Sequence, residues 1–340
     1  MYQLPSVVTE ELNFFKTNEF IKINIFDDID YNINLIQDIL SEKERLIIVS
    51  LSESFANIPL YNRIVNLIES SNKDIRISCS TASQFKFSTH PLTNLIMWKD
   101  VVGRDDVHWW SKNNYTFPSY FKIDNTISDV GRNLKSIISV RKKNKLREYL
   151  FDRIDETNID GIYRYYNWCD SIQMEDTQLS KTPIRTIDEL HKDYQNCFIS
   201  FVVETEIGNS SDNFTSTFTE KTLFSLVNGT MPIILGSKNL IRDLDNLGIT
   251  TFNKHFGFDY LVDSYDSHST NRIDVFIECI NRVKKADLST IKNLWETNKD
   301  NLQKNYDIVA SILFNKKYNN YFYDEYYNSQ KLSNTHLIHI

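Results

Sequence analysis

Glycine and proline are scarce in this chain of 340 residues, at 8 and 6. No Gly-rich or Pro-rich tract and no internal repeat stands out, which sets aside repeat arrays and low-complexity chains. Cysteine is also sparse. Cys79, Cys169, Cys197 and Cys279 lie far apart, and without a C-x-x-C pair neither a zinc site nor a redox dithiol is indicated. Buried free thiols in a reducing compartment are expected instead. Long apolar runs are missing, so no membrane span is expected. The first residues lack the basic and apolar regions of a secretory signal. The expected location is cytoplasmic (host cytoplasm for a viral chain), and the sequon Asn228-Gly229-Thr230 then carries no glycan. Excess positive charge is missing too. A net charge of −7 argues against a broad basic face for nucleic acid.

The composition present is that of a soluble globular protein, with 41% hydrophobic and 24% charged residues. The length exceeds one ordinary core and implies two domains. Residues 1–125 form the first. Residues 126–310 form the second, reached through a polar linker at 122–133. A Tyr-rich tail, 311–340, is expected to pack across domains. In the first domain, strand patterns at 20–26, 46–51 and 75–79 alternate with helical spacing at 34–40 and 58–68. That alternation specifies an α/β parallel sheet with right-handed crossovers. In the second, strands are expected at 134–140, 161–168 and 250–252. Helices are expected at 185–194, 240–247 and 273–283, with one continuous helix at 291–313.

The stretch 201–236 is the most informative. A β-branched and aromatic run over 197–203 has strand length. A polar loop, 204–217, follows with Gly208, Asn209, Asp212 and Asn213, all turn formers. Thr219-Glu220-Lys221 then opens an amphipathic segment carrying Leu223, Phe224, Leu226 and Val227. Gly229 ends it as a helix C′ residue does, and 231–235 reads as a second buried strand. This is a βαβ unit whose long loop lies at the carboxyl end of its first strand, where ligands bind in open α/β sheets. Unsatisfied N–H groups of the first helical turn, the helix dipole and Lys221 together suit an anion. Glu220 suits sugar hydroxyls. The same residues also read as plain helix capping.

Two further segments carry chemistry. Five basic residues fall within 141–147, among them Lys145 and Arg147, after a strand and at a helix start. Arg147 can grip a phosphate with two N–H donors; a solvated charge run and a nucleic-acid contact are the other readings. Glu53 follows the strongest strand of the first domain. The segment 90–121 is aromatic, and its Trp109 and Trp110 suit sugar rings, while packing accounts for most such clusters. Acidic pairs such as Asp105-Asp106 are common on solvated surfaces, and no metal is assigned.

Glu204, the polar loop, Thr219-Glu220-Lys221 and the segment Gly229-Thr230-Met231-Pro232-Ile233-Ile234-Leu235-Gly236 together resemble the donor-site signature of the family 10 fucosyltransferases, soluble viral or bacterial type. The segment around Arg147 resembles that family's diphosphate-contacting element, with Val140 where the family has Asn. The resemblance implies a GT-B fold, two Rossmann-like domains facing across a cleft. It implies an inverting, metal-independent glycosyltransferase moving a sugar from a nucleotide-diphospho-sugar to a hydroxyl of a glycan or other acceptor. No cofactor is implied beyond that donor substrate. Donor contacts then fall to Lys145, Arg147, Glu204, Thr219, Glu220 and Lys221, acceptor contacts to Trp109 and Trp110, and the general base to Glu53. Two alternatives stand beside it. One is a glycosyltransferase acting on hydroxylated bases of viral DNA, which the net charge disfavours. The other is an inactive sugar-nucleotide-binding protein, which the full set of site residues disfavours.

Overall fold

Two near-continuous apolar runs become interior strands of two separate parallel sheets. The computed structural model describes residues 6–17, 19–23, 28–50, 58–78, 127, 131–140, 145–154, 161–165, 167–168, 174–175, 187–204, 220–236, 240–258 and 269–314. The chain divides into two compact units, Met1–Ser119 with Ser311–Ile340, and Tyr120–Ala310.

In the first unit the elements run α1 (Ser6–Thr17), β1 (Glu19–Ile23), α2 (Ile29–Glu42), β2 (Arg45–Ser50), α3 (Ile58–Ser71) and β3 (Asp74–Ser78). The strands are parallel in the order β1-β2-β3, with Glu19 opposite Leu46 and Arg45 opposite Asp74. Ile33, Ile36 and Leu40 of α2 and Leu60, Ile64 and Ile68 of α3 recur at helical spacing. They are buried in one core with Leu46, Ile48, Ile75 and Ile77 of the sheet. Each such side chain contributes roughly 1.5–3 kcal/mol by leaving water. Asp28 caps α2, its carboxylate accepting from the Tyr31 N–H at 3.0 Å. Helix α1 is not anticipated by the sequence pattern.

The second unit runs β4 (Leu134–Val140), α4 (Lys145–Phe151), β5 (Gly161–Tyr165), β6 (Asn167–Trp168), β7 (Met174–Glu175), α5 (Ile187–Gln195), β8 (Cys197–Val203), α6 (Glu220–Val227), β9 (Met231–Leu235), α7 (Leu240–Asn246), a 3-10 turn Lys254–Phe256, α8 (Ser269–Lys285), α9 (Leu288–Thr297) and α10 (Lys299–Phe314). Four strands form a parallel sheet in the order β5-β4-β8-β9, while β6 and β7 make a small antiparallel ribbon. From β4 the chain builds outward to β5, then returns to β4's other side and builds outward through β8 to β9. The order therefore reverses between β4 and β8, which makes that gap the sheet's topological switch point.

Both faces of this sheet are covered, as an all-parallel sheet requires. Phe201 of β8 meets Phe276 of α8 edge to face at 5.7 Å. Its neighbour Ser200 turns to the other face and bonds Ser225 of α6. Helix α6 ends in a complete Schellman motif. The Gly229 N–H bonds the Leu226 carbonyl, the Thr230 N–H bonds the Ser225 carbonyl, and Gly229 has φ +62°. The turn is held from outside as well. Arg132 donates to the carbonyls of Tyr194, Cys197 and Asn228, and Trp295 donates to that of Gly229 at 2.8 Å.

Three expectations are met differently. Residues 250–252 form no strand. The Phe252 N–H bonds the Pro232 carbonyl, and the Asn253 side chain both donates to and accepts from the backbone of Ile234. An amide side chain thus supplies the last rung along edge strand β9, where Pro232, lacking an N–H, is tolerated. The single helix expected over 291–313 is two, because Asn298 returns its side-chain NH2 to the Leu294 carbonyl at 2.9 Å and starts the next helix by accepting from the Leu302 N–H. The linker expected at 122–133 contributes Ile127 and Arg132 to the buried interior of the second unit. No described helix is long and apolar enough to cross a membrane.

Candidate functional site

Three of the residues singled out by the sequence, Arg147, Glu204 and Lys221, lie at the carboxyl end of β8, beside the switch point. Helix α4 follows β4 and buries a stripe of Arg147, Leu150, Phe151 and Ile154, with Arg147 only 1% exposed. A guanidinium in an apolar stripe needs acceptors at its end. Its Nη2 donates to the Val203 carbonyl, the last of β8, at 3.3 Å. Arg147, expected to reach a phosphate from the first turn of its helix, is packed between α4 and the strand end.

Glu204 comes next and is fully buried. Its N–H bonds the Leu235 carbonyl at 2.9 Å, continuing the ladder to β9. Its Oε1 accepts from the Thr222 hydroxyl of α6 at 2.5 Å. Four residues back along the same face, a buried hydroxyl cluster repeats the link. Thr230 donates to Ser200 at 2.9 Å, and Ser225 bonds Thr230 at 2.8 Å. Thr222 pairs with Glu204 and Ser225 with Ser200, so α6 runs antiparallel to β8 and begins at its carboxyl end. The first turn of that helix, with half-exposed Lys221, therefore belongs to the same end of the sheet. Gly236 completes the enclosure. A Cβ there would stand 2.4 Å from Leu240 Cδ2 and 3.6 Å from Glu204 Cβ.

Arg147, Glu204 and Lys221 are thus brought together. Lys145 and Glu220 are placed by their backbones as the first residues of α4 and α6. Glu53, Trp109, Trp110 and Thr219 lie outside the described residues. Thr222 is the site residue the sequence reading missed; Gly236 stood in it only as the end of the signature segment. Thr222, like Ser225 three residues on, sets a hydroxyl among buried apolar side chains of α6, the usual mark of a buried polar pairing. The thiol of Cys279 plays no part. It is buried, donates to the Phe256 carbonyl at 3.3 Å, and burial pushes its pKa up to about 12, so it holds no thiolate at neutral pH.

No protein family, curated protein or solved structure compared with the chain matches it. This end of the sheet brings together a guanidinium, an ammonium and a helix start, with a carboxylate fixed beside them.

Proposed function

We propose that the chain is an inverting, metal-independent glycosyltransferase of GT-B type, similar to the family 10 fucosyltransferases. It takes a sugar from a nucleotide-diphospho-sugar and passes it to a hydroxyl of a glycan or other acceptor. One observation carries the reading. At the switch point between β4 and β8, Arg147 from the β4–α4 crossover and Glu204 with the start of α6 from the β8–α6 crossover meet at one strand end. Doubly wound sheets bind nucleotides at that place.

In this reading the diphosphate lies against the start of α6 with Lys221 and Arg147 as its counter-charges. Glu220 holds hydroxyls of the donor, and Lys145 and Thr219 flank the phosphates. The acceptor oxygen attacks the anomeric carbon in line, and the bond from that carbon to the diphosphate oxygen breaks with its electron pair staying on the oxygen. The transition state is oxocarbenium-like, and the negative charge gathering on the leaving diphosphate is what Lys221, Arg147 and the N–H groups stabilise. Glu53 takes the acceptor's proton from the opposite face, which inverts the centre, and Trp109 and Trp110 offer the acceptor apolar ring faces.

Calorimetric titration with ADP, GDP, UDP and CDP tests the donor site. At least one should bind, and Lys221→Ala should weaken it by about 1–3 kcal/mol, the range for a charge-assisted contact. Equal affinity of the variant for every diphosphate that binds wild type removes Lys221 from the site.

A further inference from the structure

Helix α8 presents a buried stripe to the sheet made of Arg272, Ile273, Phe276, Cys279, Ile280 and Val283. Five of these are apolar or thiol groups; Arg272, at 4% exposed, is the exception. The helix runs antiparallel to the strands. Near its end, the Lys284 carbonyl accepts from Lys135 at the start of β4. In its middle, Phe276 packs on Phe201. Near its beginning, Asp274 accepts from the Tyr149 hydroxyl of α4 at 3.2 Å. From Phe276 to Arg272 is four helical residues, about 6 Å of rise. From Phe201 to Val203 is two strand residues, about 6.6 Å, with the same facing. Arg272 therefore lies level with Val203, whose carbonyl accepts from Arg147. Two buried arginines, Arg147 of α4 and Arg272 of α8, thus stand at the level of the carboxyl end of β8. The Glu204 carboxylate turns to the sheet's other face, toward Thr222.

We infer that Arg272 is a second guanidinium of the diphosphate site, set on α8 so that α4 and α8 hold the phosphates together. The inference rests on the nucleotide-diphosphate reading above. It adds a residue that no sequence motif marks, and it commits the first turn of α8 to the ligand. A purely structural arginine behaves differently. Replacing it lowers stability by leaving its own partner unpaired and leaves ligand affinity alone.

The test titrates the full chain with ADP, GDP, UDP and CDP and with the matching nucleosides. Arg272→Met should lower affinity for the bound diphosphate roughly tenfold to a hundredfold. Affinity for the nucleoside should stay as in wild type. Arg272→Lys, which keeps charge without the two-pronged fork, should fall between. Hydrogen exchange on the wild-type chain reads the same contact without a variant, and supplies the answer if Arg272→Met does not fold. Amides of residues 269–276 should slow when the diphosphate is added and not when the nucleoside is. Unchanged diphosphate affinity in a folded Arg272→Met, or equal exchange with and without diphosphate, overturns the role of Arg272 and leaves the donor site standing. Failure of every diphosphate to bind wild type overturns both.

Discussion

Glu204 is a carboxylate with no surface exposure, and its environment must supply what water would. The Thr222 hydroxyl at 2.5 Å supplies one hydrogen bond. Thr222→Val keeps the volume and removes the donor, leaving a buried acceptor short of a partner. The urea midpoint should fall by the equivalent of about 1–3 kcal/mol, and Thr222→Ser should recover most of it. At this scale the sequence was only partly legible. Glu204, Arg147 and Lys221 stood out because charge in an apolar neighbourhood is conspicuous. Thr222 and Arg272 did not, because their meaning lies in what the opposite element brings. A threonine inside Glu220–Val227 reads as ordinary helix until β8 is laid beside it. Arg272 reads either as a cap on the pocket or as a cap on a helix until the stripe through Phe276 is seen to end on it.

Among the elements, β8, α6 and β9 are the most strongly specified. Their strand runs are apolar apart from Ser200, and their helix is stopped by a glycine that has no substitute. At Gly229 the backbone takes φ +62°, and a Cβ would fall 2.5 Å from a side-chain carbon of Ile127. Gly229→Ala therefore adds left-handed strain to a clash, and should destabilise by about 1–3 kcal/mol, read as a lowered thermal midpoint. The periodicities of α2, α3, α8 and the strands of both sheets were readable for the same reason: one face of each is apolar at a fixed period. What periodicity cannot show is a helix that stops on a side-chain hydrogen bond, as at Asn298, or a strand edge completed by an amide side chain, as at Asn253. Both are asparagines standing in for backbone, and nothing in their local sequence separates them from surface asparagines.

For the whole molecule, the alternation of strands and helices was enough to indicate two parallel α/β sheets, and the described residues form two. The order of the second sheet was not legible. Apolar runs say which segments are strands and not which strand lies beside which, so the switch point between β4 and β8 emerges only from the pairing. The central claim is that a nucleotide-diphospho-sugar occupies that place, and thermal unfolding of the intact chain across a panel of nucleotide-diphospho-sugars tests it most directly. A ligand at a hundred times its Kd adds about 2.7 kcal/mol to the folded state, which raises the midpoint of a unit this size by roughly 5–10 °C. The account predicts a saturable rise of that order for the sugars of one nucleobase, reproduced by the corresponding nucleoside diphosphate and reduced in Lys221→Ala. No rise with any member of the panel at millimolar concentration would contradict it.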